Sequence, residues 1–155
     1  MPKIKIYLAS PLGFNPEYKH YLDKIKEKLV TQDHKVFCPW DQTQFAEELE
    51  RIPFISDFQT RVDAYKEVAA KIGTVNEDGI RRCDVLLAVL DGLEVDSGTA
   101  SELGFAAAIG KACYGLRTDV RDSGDFPGLP INLQVLHFIE SSGGRMFRRI
   151  DDIEI

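Results

Sequence analysis

The sequence predicts an α/β fold, one domain spanning residues 1–155 on an open parallel sheet of five strands, and three observations carry that prediction. Short β-rich runs alternate along the chain with segments of helical period, the pattern of repeated β-α-β units. The run "DVLLAVLD" at 84–91 is almost continuously apolar, as expected of a strand in the middle of a parallel sheet covered on both faces. A length of 155 residues suits a single core.

The elements follow in order. "IKIYLAS" (4–10) is the first strand. Asn15 and Pro16 supply a cap and a first-turn proline, after which Tyr18, Tyr21, Leu22, Ile25 and Leu29 keep helical spacing. "KVFCP" (35–39) is a short second strand. Residues 43–82 mix polar and apolar positions at the helical period, with breaks expected at Pro53 and Gly73 and therefore two or three helices. Strand three is 84–91, and the helix after it, 98–110, closes on Gly110 at the C′ position. "KACYGL" (111–116) is the fourth strand, and "RDSGDFPGLP" (121–130) a loop punctuated by Gly and Pro. "VLHFIE" (135–140) is expected as the fifth strand and "GRMFRRIDDI" (144–153) as a terminal helix. The arrangement is doubly wound and flavodoxin-like. Ligands in such sheets bind beyond the carboxyl ends of the strands, near the point where strand order reverses. Three loops are expected there: "SPLGF", "WDQT" and "DGLEVDSGT".

Composition narrows the function. Hydrophobic and charged fractions of 44 % and 28 % are ordinary for a globular chain. A net charge of −6 argues against a nucleic-acid backbone binder, which needs clustered Lys and Arg. Cys38, Cys83 and Cys113 are odd in number, widely spaced and set among apolar residues, so buried reduced thiols are expected. His20, His34 and His137 form no HxxxH or Cys/His cluster, and no metal site is expected. The loops hold neither GxGxxG nor GxxxxGK[ST], so no nucleotide cofactor is expected. No apolar run is long enough to cross a bilayer and no signal-peptide h-region precedes the first strand, which predicts a cytoplasmic protein without a membrane partner.

One segment stands out. In "DSGTASELGFA" (96–106) a single carboxylate, Glu102, sits among Ala100, Leu103, Phe105 and Ala106. A buried, unpaired carboxylate is costly, so it is satisfied or used. Thr99-Ala100-Ser101-Glu102 fits a capping box, with the glutamate reaching back to the threonine N–H. Glu102 also fits a nucleophile in the first turn of the helix after the central strand, kept ionised by the helix dipole. Asp96, before the turn made by Ser97 and Gly98, is either a loop or capping aspartate or a second acid suited to glycosidic-bond chemistry. Spacing alone leaves both pairs of readings open.

"KIYLASP", "CDVLLAVLDG", "DSGTASELGFAAAIGK" and "GLPINL" together resemble the nucleoside 2-deoxyribosyltransferase family, in the family's order and across most of the chain. The resemblance implies an enzyme of nucleoside salvage that exchanges the base of a 2′-deoxyribonucleoside for another purine or pyrimidine. Its substrates would be 2′-deoxyribonucleosides and free nucleobases, with no cofactor. Glu102 would attack C1′ to give a covalent deoxyribosyl ester, and the incoming base would displace it with net retention. Tyr7 would orient the nucleophile, and Asp96 would hold sugar hydroxyls beside Gly98. Asn132 would reach the sugar's 5′ end in a neighbouring subunit, implying a homo-oligomer, dimer or hexamer, with shared active sites. Asp41 and Gln42 lie where the family contacts the base, Phe14 and Trp40 could flank it by stacking, and residues 43–73 would govern base choice. Asn76 stands where some members carry an aspartate that protonates the departing base; an amide hydrogen-bonds a base but supplies no acid proton. Asp78 is near in sequence and is expected on another helix face.

Two rivals accompany this reading. A 2′-deoxynucleoside 5′-monophosphate N-hydrolase resembles the fold and uses a similar glutamate, yet it needs basic or serine groups for the phosphate, and Asp96 at that place would repel one. A non-catalytic nucleotide-binding module would have no need of Glu102, Asp96 and Tyr7 together.

Overall fold

The structure is a computed structural model that describes residues 3–155. Five strands, β1 (Lys5–Ala9), β2 (Lys35–Phe37), β3 (Val85–Val89), β4 (Ala112–Leu116) and β5 (Met146–Phe147), form one sheet in the order β2-β1-β3-β4-β5. Every pairing is parallel. The fold class expected from sequence is therefore the one observed, and the strand order reverses between β1 and β3.

Period-two alternation divides each strand between two cores. Ile6, Leu8, Leu87 and Val89 face α1 (Lys19–Thr31), packing on Leu22, Ile25 and Leu29. Tyr7, Ala9, Leu86 and Ala88 face the other side. There they meet Ile80 of α3 (Phe58–Arg82), Leu103 and Ala106 of α4 (Ser97–Ala108), and Val135 and Ile139 of α5 (Leu133–Ser141). This parity aims the Tyr7 ring at α4.

Local signals explain most boundaries. Asn15 accepts from the Glu17 N–H at 3.0 Å and starts a 3-10 turn, Pro16–Tyr18, that runs into α1. Gly110 takes φ +79° after α4, and the N–H groups of Gly110 and Lys111 reach back to the carbonyls of Ala107 and Ala106. That is the αL closure expected for it.

Three expectations are corrected. "VLHFIE" lies in α5, not a strand: its residues are β-rich, but Val135 and Ile139 are buried one helical turn apart and Asn132 caps the helix with its side chain. The strand slot beside β4 is taken by Met146 and Phe147, paired with Gly115 and Leu116. The terminal segment is thus β5 followed by a 3-10 turn at Ile150–Asp152 rather than a helix. The tight return from α5 to β5 needs Gly144, because a Cβ there would meet the Cys113 carbonyl oxygen at 1.8 Å. Between residues 43 and 82, α2 (Ala46–Arg51) ends at a 3-10 turn containing Pro53, as expected, but α3 runs through Gly73 unbroken.

The three cysteines are free and buried, and burial pushes each thiol up to about 11. No helix among the described residues is long and apolar enough to cross a membrane, and no His/Cys/Asp/Glu group among them could hold a metal ion.

Nothing lies within 4 Å of a Cβ built on Gly73. Gly73→Ala should therefore stabilise the protein by about 0.5–1 kcal/mol through helix propensity and a stiffer unfolded chain, raising Tm by about 2–3 °C in calorimetry. A loss of stability would mean that the helix breaks there.

Candidate active site

Tyr7 and Glu102 are 95 residues apart in sequence, yet the Tyr7 hydroxyl donates to Glu102 Oε1 at 2.7 Å. Two local facts make the meeting possible. Tyr7 sits on the β1 face that packs α4, fully buried and stacked on Phe37 with centroids 5.4 Å apart. Glu102 lies in the second turn of α4 rather than the first turn expected, because the helix starts at Ser97 after the loop that leaves the carboxyl end of β3. The site thus occupies the point where strand order reverses, as expected for this topology.

The carboxylate is under opposing influences. Burial pushes Glu102 above its ordinary value of 4.5, the Tyr7 hydrogen bond pulls it down, and the Asp96 charge adds to the rise. Desolvation is the largest of these influences. The Tyr7 hydroxyl is raised far above its usual range by burial and by the Glu102 charge, so it remains the donor.

The capping-box reading of Thr99 and Glu102 is not what forms. Asp96 is the cap: its Oδ2 accepts from the Thr99 N–H at 2.8 Å and from the Thr99 hydroxyl at 3.0 Å. Glu102 is thereby left free of the helix end and available to Tyr7. A side-chain carbon at Gly98 would lie 3.2 Å from the same Asp96 oxygen, so glycine there keeps the carboxylate uncrowded.

A cavity of about 560 Å³ opens at these residues. It brings together Glu102, Asp96, Gly98, Asn76, Gln42 and Phe14 of the sequence-predicted positions. Tyr7 stands behind Glu102 and completes the group through its hydroxyl. Trp40 donates its indole N–H to the Ser10 carbonyl at 2.7 Å and meets Phe14 edge-on, centroids 4.6 Å apart. Gly13 makes this possible, since a Cβ there would collide with the indole at 1.9 Å.

Besides Tyr7, two predicted positions fall outside the cavity lining. Asp41 is drawn to the far side of its turn by Lys26, at 3.0 Å; its neighbour Gln42 faces inward. Asn132 caps α5, its Oδ1 accepting from the N–H groups of Gln134 and Val135 at 2.9 and 3.3 Å. It lies in a separate surface hollow with Glu94, Ser123 and Asp125. Asp78 is exposed on α3 and does not line the cavity.

Sequence reading did not single out the apolar wall. Phe45, Leu49, Ala69, Ile72 and Val75 of α2, α3 and the turn before α2 line it. The available signal was spacing: Ala69, Ile72 and Val75 recur every three residues along α3, and Asn76 follows Ile72 by four. Among the described residues, no Lys, Arg or His lines the cavity.

Comparison with known proteins identifies the family. A sequence profile of the family described as nucleoside 2-deoxyribosyltransferase matches residues 6–134. The chain belongs to the nucleoside 2-deoxyribosyltransferase family. An uncharacterized protein of Schizosaccharomyces pombe is 30% identical over 120 residues, which are 75% of this chain and 51% of that protein, so the chain spans about half the length of that curated relative. The solved 2-desoxiribosyltransferase of Leishmania mexicana superposes with a TM-score of 0.63 at 28% identity, covering 96% of this chain and 91% of the other. A CMP N-glycosidase of Clostridium botulinum shares the fold, with a TM-score of 0.52 at 14% identity over 96% of this chain and 93% of the other.

Because its folded-state value is raised, Glu102 binds its proton more readily in the folded chain than in the unfolded one. Its contribution to stability is full below about 4.5 and is lost as pH rises through the folded value. Glu102→Gln, which keeps an acceptor for Tyr7 and carries no charge, should melt higher than the parent at pH 8. The gap should close as pH falls toward 4. Equal melting temperatures across that range would show that the carboxylate is not desolvated in solution.

Proposed function

We propose that the protein transfers a 2-deoxyribosyl group between nucleobases by double displacement at Glu102. One observation carries the reading: a carboxylate oriented by a buried tyrosine, in the lining of a largely apolar cavity, in a chain of this family. Tyr7 occupies Oε1, which leaves Oε2 as the attacking oxygen. Oε2 bonds to C1′ as the C1′–N bond breaks and its electron pair leaves with the base. A nitrogen of the second base then bonds to C1′ from the vacated face, and the ester C1′–O bond returns its electrons to Glu102. Two inversions give retention. The transition states carry oxocarbenium character, which the carboxylate charge stabilises in a poorly solvated site.

The remaining lining residues suit the other parts of the substrate. Asp96 is capped to the helix through Oδ2, and its Oδ1 is left for a sugar hydroxyl. Asn76 and Gln42 offer amides to the base edge, and the Phe14–Trp40 pair offers a ring surface to its face. Asn132 lies away from its own cavity, which fits a role in the cavity of a neighbouring copy within a homo-oligomer. The lack of a cation in the lining disfavours a 5′-phosphate, and so disfavours the monophosphate hydrolase.

Incubation with deoxyinosine and adenine should yield deoxyadenosine by chromatography. Free sugar and hypoxanthine alone would indicate a hydrolase, and no turnover a binding module. Glu102→Ala should lower exchange by about 10⁴-fold or more while leaving the fold intact, and intact-protein mass spectrometry of the parent during turnover should find the pentose on Glu102.

Tyr7→Phe removes the contact that pulls Glu102 down. The acid limb of the pH–rate profile should therefore move to higher pH, with a loss of about 10- to 100-fold near neutrality; an unmoved limb would remove Tyr7 from the mechanism. Mixing Glu102→Ala with Asn132→Ala subunits should restore part of the activity through hybrid sites. Its absence after confirmed subunit exchange would exclude sharing.

A further inference from the structure

Arg117 follows the last residue of β4 and is completely buried. Its guanidinium is held by oxygens that carry no formal charge. One terminal nitrogen donates to the carbonyls of Leu90 at 2.6 Å and Gly92 at 2.9 Å. The other donates to the Arg121 carbonyl at 2.8 Å and the Ser123 hydroxyl at 3.1 Å. Nε finds no partner. The acid whose charge it feels, Asp119, is engaged by Arg121 at 2.5 Å. Burying a cation without a counter-charge is costly, and an apolar side chain of similar length would fill the space. What the charge gains is a hold on two loops at once.

Those loops lead to the two polar groups assigned to the sugar. Gly92, at φ +109°, opens the segment that reaches Asp96 four residues later. Ser123 relays the second hold: its hydroxyl donates to the Pro130 carbonyl at 3.3 Å, as does its own N–H at 3.3 Å. Pro130 is followed by Ile131, locked in the core, and then by Asn132. A chain of hydrogen bonds thus runs from Gly92 through one guanidinium to Pro130.

We infer that Arg117 is a positioning residue for sugar recognition, fixing Asp96 for its own cavity and Asn132 for the cavity of a neighbouring copy. The inference rests on the transferase reading above. It explains why a buried charge stands just past the end of β4, which pairs with β3, the strand whose following loop carries Asp96. Its effect is read at the sugar's 5′ side, where Asn132 is assigned.

A substrate comparison separates positioning from mere stability. Exchange is measured with a 2′-deoxynucleoside and with its 2′,5′-dideoxy analogue, in the parent, Arg117→Met, Arg117→Lys and Ser123→Ala, each with a thermal melt. The parent should favour the 5′-hydroxyl substrate by about 10- to 100-fold in kcat/KM, the range of a hydrogen bond to a charged group. Arg117→Met should reduce that preference to about 3-fold or less, Arg117→Lys should recover part of it, and Ser123→Ala should lose part while remaining folded. Should Arg117→Met fail to fold, Ser123→Ala and Arg117→Lys decide in the same way. A preference unchanged while both substrates slow together would overturn the inference and leave Arg117 a structural residue. A parent with no exchange on either substrate would instead overturn the transferase reading, so the two failures are told apart.

Discussion

The hydrogen bond from Tyr7 to Glu102 joins the first strand to the helix after the third, and the rest of the molecule is arranged around that junction. It requires β1 and β3 to be neighbours, although α1, β2 and two further helices separate them in sequence. It requires Tyr7 to fall on the α4 side of the sheet, so a one-residue slip of β1 would point the hydroxyl at α1 instead. It also requires Asp96 to cap α4, because a glutamate reaching back to the helix end would be withdrawn from the tyrosine. Strand register, sheet order and cap choice converge on one contact of 2.7 Å.

That contact balances two demands. For the role proposed for Glu102, poor solvation would strengthen the attraction for developing positive charge. The same dryness opposes its ionisation. The α2 and α3 wall supplies the dryness, while the tyrosine returns part of what burial removes. Each neighbour of Glu102 therefore has a recognisable sign: the apolar wall and Asp96 raise it, and Tyr7 lowers it. One phenol makes this compromise, in a lining with no Lys, Arg or His among the described residues.

Much of this was legible in the sequence, and the misses have physical reasons. The continuous apolar run of β3 and the glycine closure of α4 depend on a few adjacent residues, and both were readable locally. "VLHFIE" was misread because valine, isoleucine and phenylalanine suit strands, while the helical spacing of Val135 and Ile139 shows itself only once a core exists to receive it. Gly73 was misread as a break because an exposed helix tolerates a glycine when packing on its other side is secure. Glu102 stood out as a lone charge in an apolar stretch, whereas Tyr7 was singled out only through a family motif, since nothing in their spacing announces that they meet. Asp41 and Gln42 are adjacent, yet one faces Lys26 and the other the cavity, a distinction made by the 3-10 turn at Pro39–Asp41 and invisible in a string of letters. The α2 and α3 wall needed tertiary structure, because its members are separated by a turn and by most of a helix.

The burial of all three thiols has a practical corollary. A sulfhydryl in the interior with so high an affinity for its proton offers little thiolate to alkylating reagents or peroxide. The native chain is therefore a silent background for maleimide chemistry. A cysteine installed on the outer surface would take a fluorophore alone, giving a ready handle for following association between copies by energy transfer.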